Sequence, residues 1–140
     1  MKNIIFDLGG VVVEWNAKRV LETFKGNPIL VNFVKENSLF LNDWQDYDRG
    51  DVTRQELIDK VALLSGCPPE DCNEFIEHVK HSLTPIPETE ALIKELSTPG
   101  FKLYCLSIMS ADFYDYLKTR EVIKHFDGQV ISDLENMTKP

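Results

Sequence analysis

The sequence predicts an α/β fold: a parallel β-sheet core carrying a bundle of helices inserted after its first strand. Three observations predict it. Short segments with strand character recur at 3–6, 101–106 and 128–132. Amphipathic helical patterns precede the second run and separate it from the third, the alternation that parallel strands need for their crossovers. Between residues 16 and 84 the period changes from strand to helix throughout. With 43% hydrophobic and 27% charged residues, the 140-residue chain can bury a core and is not of disordered composition. The expected division is a core of 1–15 and 85–140 with an inserted bundle of 16–84.

Taken in order, Asn3-Ile-Ile-Phe6 reads as a strand buried on both faces, ended by Asp7 and the turn-forming pair Gly9-Gly10. The β-branched run Val11-Val12-Val13 predicts a second extended piece. Asn16 caps a helix over 17–25, with Val20, Leu21 and Phe24 inward and Gly26 as its stop. Pro28 opens a helix carrying Ile29, Leu30, Phe33 and Val34 on its apolar face. Tyr47-Asp48-Arg49-Gly50 reads as a tight loop with an exposed ion pair. Thr53 and Glu56 form a capping box for a helix with Leu57, Ile58, Val61 and Leu64 inward, ended by Gly66. Pro68-Pro69 starts a fourth helix, with Phe75, Ile76 and Val79 inward. A helix over 88–96 follows, with Ala91, Leu92 and Leu96 inward. Pro99-Gly100 turns into the strand ending at Ser107, Ser110 caps a helix over 111–118, and 128–132 is the last strand.

The formal charge of −8 repels a nucleic-acid backbone and an anionic lipid surface, and no basic cluster offsets it. No nucleic-acid or membrane partner is expected. A small anionic substrate is compatible with this charge, because a bound metal reverses the field locally. No apolar run approaches the roughly 20 residues of a membrane span. The N-terminal stretch, interrupted by Asp7, has the pattern of neither a signal nor a transit peptide. Cys67, Cys72 and Cys105 read as free thiols, so the expected location is the cytoplasm.

Three polar residues fall at or just past strand ends: Asp7, Ser107 and Lys139. In open parallel sheets ligands bind beyond the carboxyl ends of strands, and right-handed crossovers bring those ends to one edge. There a carboxylate serves as nucleophile or metal ligand, a hydroxyl donates to a phosphate oxygen, and an ammonium neutralises charge. Each alone has a plainer reading, as turn residue, helix cap and solvated lysine; the combination carries the argument.

Phe6-Asp7-Leu8-Gly9-Gly10-Val11-Val12, Leu106-Ser107 and Thr138-Lys139-Pro140 resemble, in order and spacing, the first three motifs of the haloacid dehalogenase-like (HAD) hydrolase superfamily. The inserted helices resemble that superfamily's α-helical cap. The opening motif and Tyr47-Asp48-Arg49-Gly50-Asp51-Val52-Thr53 resemble its subgroup of small bacterial sugar-phosphate phosphatases. The resemblance implies a Rossmann-like core and a Mg²⁺-dependent phosphatase acting on a small phosphorylated substrate. Asp7 would attack phosphorus and form an aspartyl phosphate. Asp7 and the Gly9 carbonyl would bind Mg²⁺, Ser107 and the Ile108 N–H would hold the phosphoryl oxygens, and Lys139 would pair with both. Gly9 and Gly10 would shape the substrate-binding loop, and Trp15 would line the pocket between cap and core.

This sequence departs from that pattern in three places. The second aspartate, general acid and base two residues after the nucleophile, is replaced by Gly9; Asp48 and Glu14 are candidates to compensate. Ile108 stands where a polar residue is usual. The sequence stops at Pro140, before the acidic pair of the fourth motif, which leads us to expect an incomplete core with weak Mg²⁺ binding and an exposed apolar strand edge open to self-association. Two alternatives therefore stay open: a truncated, catalytically impaired or partner-binding chain, and a metal-free haloacid dehalogenase. Trp15 and Trp44 are candidates for the pocket wall or for core packing, and His78 and His81 read as a solvated helix face.

Overall fold

The computed structural model describes residues 2–97 and 100–135. Lys139 lies outside them. Three parallel strands, β1 (Lys2–Phe6), β2 (Phe101–Ser107) and β3 (Gly128–Ile131), form one sheet in the order β1-β2-β3. Between β1 and β2 run α1 (Ala17–Thr23), α2 (Pro28–Asn37), a 3₁₀ turn (Leu39–Leu41), α3 (Asp43–Arg49), α4 (Arg54–Ser65), α5 (Pro69–His81) and α6 (Pro87–Leu96). The helices α7 (Ala111–Leu117) and α8 (Glu121–Lys124) connect β2 to β3, and α9 (Ser132–Glu135) follows.

Local chemistry sets most element ends. Asn16 accepts from the Arg19 N–H at the start of α1. At α4 the Thr53–Glu56 capping box is present in both directions. Gly66 ends α4 in the left-handed conformation, at φ 75°, where a Cβ would be strained. Ser110, 1% exposed, caps α7 by accepting from the Phe113 N–H. In β2 the alternate residues Leu103, Cys105 and Ser107 are buried, the signature of a strand with one face on the core. The three cysteines are unpaired and buried.

Several expectations need correction. β1 is an edge strand and is not buried on both faces: Ile5 is 67% exposed, while Ile4 and Phe6 pack inward. Val11 and Val12 lie in a turn, not a strand. There the Leu8 carbonyl accepts from the N–H groups of Val11, Val12 and Val13, and only Val13 bridges, to Gly9 and Pro85. The helix α1 stops at Thr23, because Phe24 is already extended. Ile29, Leu64 and Leu92 are exposed and Ala91 faces outward; Ile93, fully buried, is the core residue of α6. At α6 the miss is one of helical phase, which the apolar pair Leu92-Ile93 leaves ambiguous.

The segment 43–49 is a helix and not a tight loop. The signals are Asp43 and Asp46 in its first turn, Arg49 in its last, and Gly50 closing it at φ 83°. Two sets of bonds fasten α3 and its neighbours to the sheet side of the molecule. In the first, Asp112 of α7 accepts from Tyr47 Oη (2.9 Å), Arg54 Nη1 (2.6 Å) and Lys80 Nζ (3.1 Å). Arg54 and Lys80 also bridge to Glu77. In the second, Ser132 Oγ, 2% exposed, donates to the Asp48 carbonyl at 2.7 Å and accepts from the Met109 N–H at 2.9 Å. Beside it, Asp133 accepts from the Ala111 N–H at 2.6 Å and fills the space against Gly50, where any Cβ would collide with its carboxylate.

Burial alone would raise the Asp112 carboxyl, but the bonds from Tyr47, Arg54 and Lys80 outweigh it and hold the group below its usual range. A carboxylate held low stabilises the fold above its unfolded value of about 3.9, and that stabilisation is lost as pH falls through the lower folded value. We expect Asp112→Asn to cost about 1–2 kcal/mol at pH 7, a modest figure because the Asp112 side chain is 36% exposed. In denaturant melts across pH, the gap to wild type should be full above about pH 4 and close below it. Ser132→Ala should cost about 1–3 kcal/mol by leaving a buried carbonyl and N–H unpaired, and this loss should not vary with pH.

Candidate functional site

The sheet register fixes where the candidate residues stand. Phe6 pairs with Cys105, so Asp7 is the first residue past β1 and Ser107 the last of β2, both at the carboxyl edge of the sheet. Asp7 is exposed and Ser107 is 4% exposed. After Asp7 the chain turns through Gly10, whose φ of 82° favours glycine, and a Gly10 N–H to Val13 carbonyl bond of 2.7 Å closes the loop. Gly9 faces Trp15: a Cβ there would meet Trp15 Cβ at 3.9 Å, an ordinary contact.

A cleft of about 490 Å³ opens between this edge and the inserted helices. Gly9, Ser107 and Ile108 line it from the sheet side, Trp44 and Asp48 from the inserted helices, and Trp15 from the segment just before them. Four of the residues expected at the site therefore share one cavity: Gly9, Trp15, Ser107 and Ile108. Asp7 and Gly10 lie on the adjoining strand end and loop, outside its lining. Lys139 is outside the described residues.

Aromatic rings build the far wall. Trp15 meets Phe40 edge-on at 5.3 Å, Phe40 meets Trp44 at 5.2 Å, and Trp44 meets Phe113 of α7 at 5.7 Å. Trp44 is 5% exposed and serves both core and cleft, whereas Trp15 is 38% exposed at the rim. The expected solvated histidine face is corrected in part. His78 Nε2 lies 3.0 Å from both Thr23 Oγ1 and the Val20 carbonyl, with its ring tilted on Phe24. His81 is exposed, edge-on to Tyr116.

Asp48 is the residue whose place the sequence did not fix. It sits on the last turn of α3, touching solvent through the cleft but otherwise surrounded by protein. That enclosure, with the Asp133 charge added, pushes its carboxyl up to about 8 against the lowering effect of hydrogen bonds from the Ser110 N–H and Trp44. The bonds that place it come from Ser132, 84 residues away in sequence.

Asp7 and the Gly9 main chain supply hard oxygen donors at an exposed strand end, the donor type Mg²⁺ takes while keeping several waters. Among the described residues no three His, Cys, Asp or Glu side chains converge on a common point. No helix among the described residues is long and apolar enough to cross a membrane.

No protein-family model matches the chain. Over 140 residues it is 25% identical to a sesquiterpene phosphatase of Aspergillus oryzae, covering 99% of this chain and 68% of that protein. In fold it is similar to a HAD family enzyme of Bacteroides thetaiotaomicron, solved with magnesium and inorganic phosphate. The TM-score is 0.79 at 21% identity, over 100% of this chain and 73% of that one. A HAD-like family hydrolase of Porphyromonas gingivalis gives a TM-score of 0.72 at 23% identity, over 100% of this chain and 70% of its own. An L-2-haloacid dehalogenase of Xanthobacter autotrophicus gives 0.60 at 17% identity, over 99% and 60%. The sheet order, the helices inserted after β1 and these likenesses agree: the chain has the fold of haloacid dehalogenase-like hydrolases.

Proposed function

We propose that this protein is a Mg²⁺-dependent phosphatase of small phosphate monoesters, working through an aspartyl phosphate on Asp7. The observation that carries the reading is the juxtaposition of Asp7 and Ser107 on neighbouring parallel strand ends, beside a cleft lined by Gly9, Ser107 and Ile108. The similarity to a phosphatase, and a structural neighbour crystallised with magnesium and phosphate, support it. In this reading residues 16–84 act as a cap over a core of 1–15 and 85–140.

An Asp7 oxygen forms a bond to phosphorus as the bond to the alcohol oxygen breaks. Ser107 Oγ and the Ile108 N–H donate to the phosphoryl oxygens, whose charge grows at the transition state. Lys139 neutralises the same group. Water then displaces Asp7 and inorganic phosphate leaves. Asp7 and the Gly9 carbonyl would hold Mg²⁺, which would supply the charge neutralisation a carboxylate needs to approach an anion.

The organic part of the substrate lies against Trp15, Phe40, Trp44 and Phe113. Such a wall favours an apolar group, and it also stacks on the C–H face of a sugar. Phosphate release from 4-nitrophenyl phosphate, with Mg²⁺ and with a chelator, tests the activity. Asp7→Asn should abolish release, and Ser107→Ala should lower kcat/KM roughly 10²–10³-fold, the cost of one transition-state donor. Release that survives Asp7→Asn would refute the mechanism. Chelator-insensitive halide release from a 2-haloacid would favour dehalogenation instead.

A further inference from the structure

We propose that Asp48 is the catalytic acid and base of this site, protonating the departing alcohol oxygen and later accepting the proton of the attacking water. The inference rests on the phosphatase reading above. It answers a gap in that reading, since Gly9 has no side chain with which to transfer a proton.

The geometry singles out Asp48. Among the described residues lining the cleft, it is the one carboxyl group. It enters from α3 and lines the same cleft as Gly9 and Ser107. A phosphoryl group held at the sheet edge would place its ester oxygen in the cleft that Asp48 lines. The residue is also fixed in place. Its carbonyl accepts from buried Ser132, and its carboxyl takes hydrogen bonds from the Trp44 indole and from the N–H of Ser110, three residues past Ser107. The same loop that carries Ser107 thus positions the acid.

The surroundings keep the proton on Asp48 at neutral pH. Burial and the facing Asp133 carboxylate of α9 push the group up to about 8. Among the described residues, the neighbouring cations have carboxylate partners of their own. Arg49 pairs with Asp46 and Asp51, Arg54 with Glu77 and Asp112, and Lys60 with Asp43. The 3₁₀ turn packed on α3 carries no charge. An acid with this poise suits general catalysis near pH 7.

The proton balance closes. As Asp7 bonds to phosphorus and the P–O bond breaks, the alcohol oxygen takes the Asp48 proton. Water then attacks phosphorus and gives its proton to the Asp48 carboxylate. Asp7 leaves as a carboxylate and phosphate departs, restoring both side chains.

The test compares kcat/KM of wild type and Asp48→Asn on two esters. An alkyl phosphate has a poor leaving group that needs the proton; 4-nitrophenyl phosphate has a good one that does not. kcat/KM reports only steps up to loss of the alcohol, so later water attack does not blur the result. We expect alkyl phosphate hydrolysis to fall roughly 10²–10³-fold and aryl hydrolysis to fall less than about fivefold. Retained aryl turnover also shows that the variant folds. In wild type, kcat/KM for the alkyl ester should decline as pH rises through about 8, while the aryl ester should show no such limb. Equal losses on both esters, or an alkyl profile in wild type without that limb, would overturn the assignment while leaving the phosphatase reading intact. No release from either ester by wild type above the Asp7→Asn background would overturn both.

Discussion

The parallel pairing of β1 with β2 is the constraint on which the site depends. The register that sets Phe6 against Cys105 brings the residues after both strands to one edge. A shift of one residue would turn Ser107 from the core side to the other face and remove it from the cleft. This geometry needs no contact between the candidate residues themselves. Backbone hydrogen bonds in the sheet fix their separation, and the Gly9-Gly10 turn lets the chain leave the edge without covering it.

A second layer of order comes from the fastening of α3. Its C-terminal turn is held by Ser132 and Asp133, and its flank by the Tyr47–Asp112 bond. These ties run from the inserted helices to the loop after β2, to α7 and to α9. They define the depth of the cleft and set Asp48 in surroundings poor in water. The aromatic relay from Trp15 through Phe40 and Trp44 to Phe113 makes much of the same wall apolar, which sharpens the electrostatic effect of the few charges present. The ion network around Asp112 is partly exposed, so it contributes more to the orientation of α3, α4 and α5 than to net stability.

Much of the frame was legible in the sequence because it is encoded locally. Asn16, the Thr53–Glu56 box, Gly66 and Ser110 mark helix ends through bonds spanning three or four residues, and the strand at 101–107 shows as a largely apolar run. The sharing of one cleft by Gly9, Trp15, Ser107 and Ile108 follows from the alternation of strands and helices. What was not legible depended on distant partners. Nothing near Asp48 in sequence says that Ser110, Ser132 and Asp133 will enclose it. The helix 43–49 carried its own signals, but a short polar segment ending in Arg49-Gly50 also fits a turn, and only packing of Trp44 and Tyr47 decides between them. The outward face of β1 depends on its place at the sheet edge, which an apolar run cannot state.

The central claim is that Asp7, at the end of β1, takes up the phosphoryl group covalently. Acid quenching during turnover, followed by peptide mass spectrometry, tests it most directly. The account predicts one added phosphoryl group on the peptide 3–18, borne by Asp7, that disappears when substrate is exhausted. Phosphate released with no labelled intermediate under any quench condition, or a label on a different side chain, would contradict it.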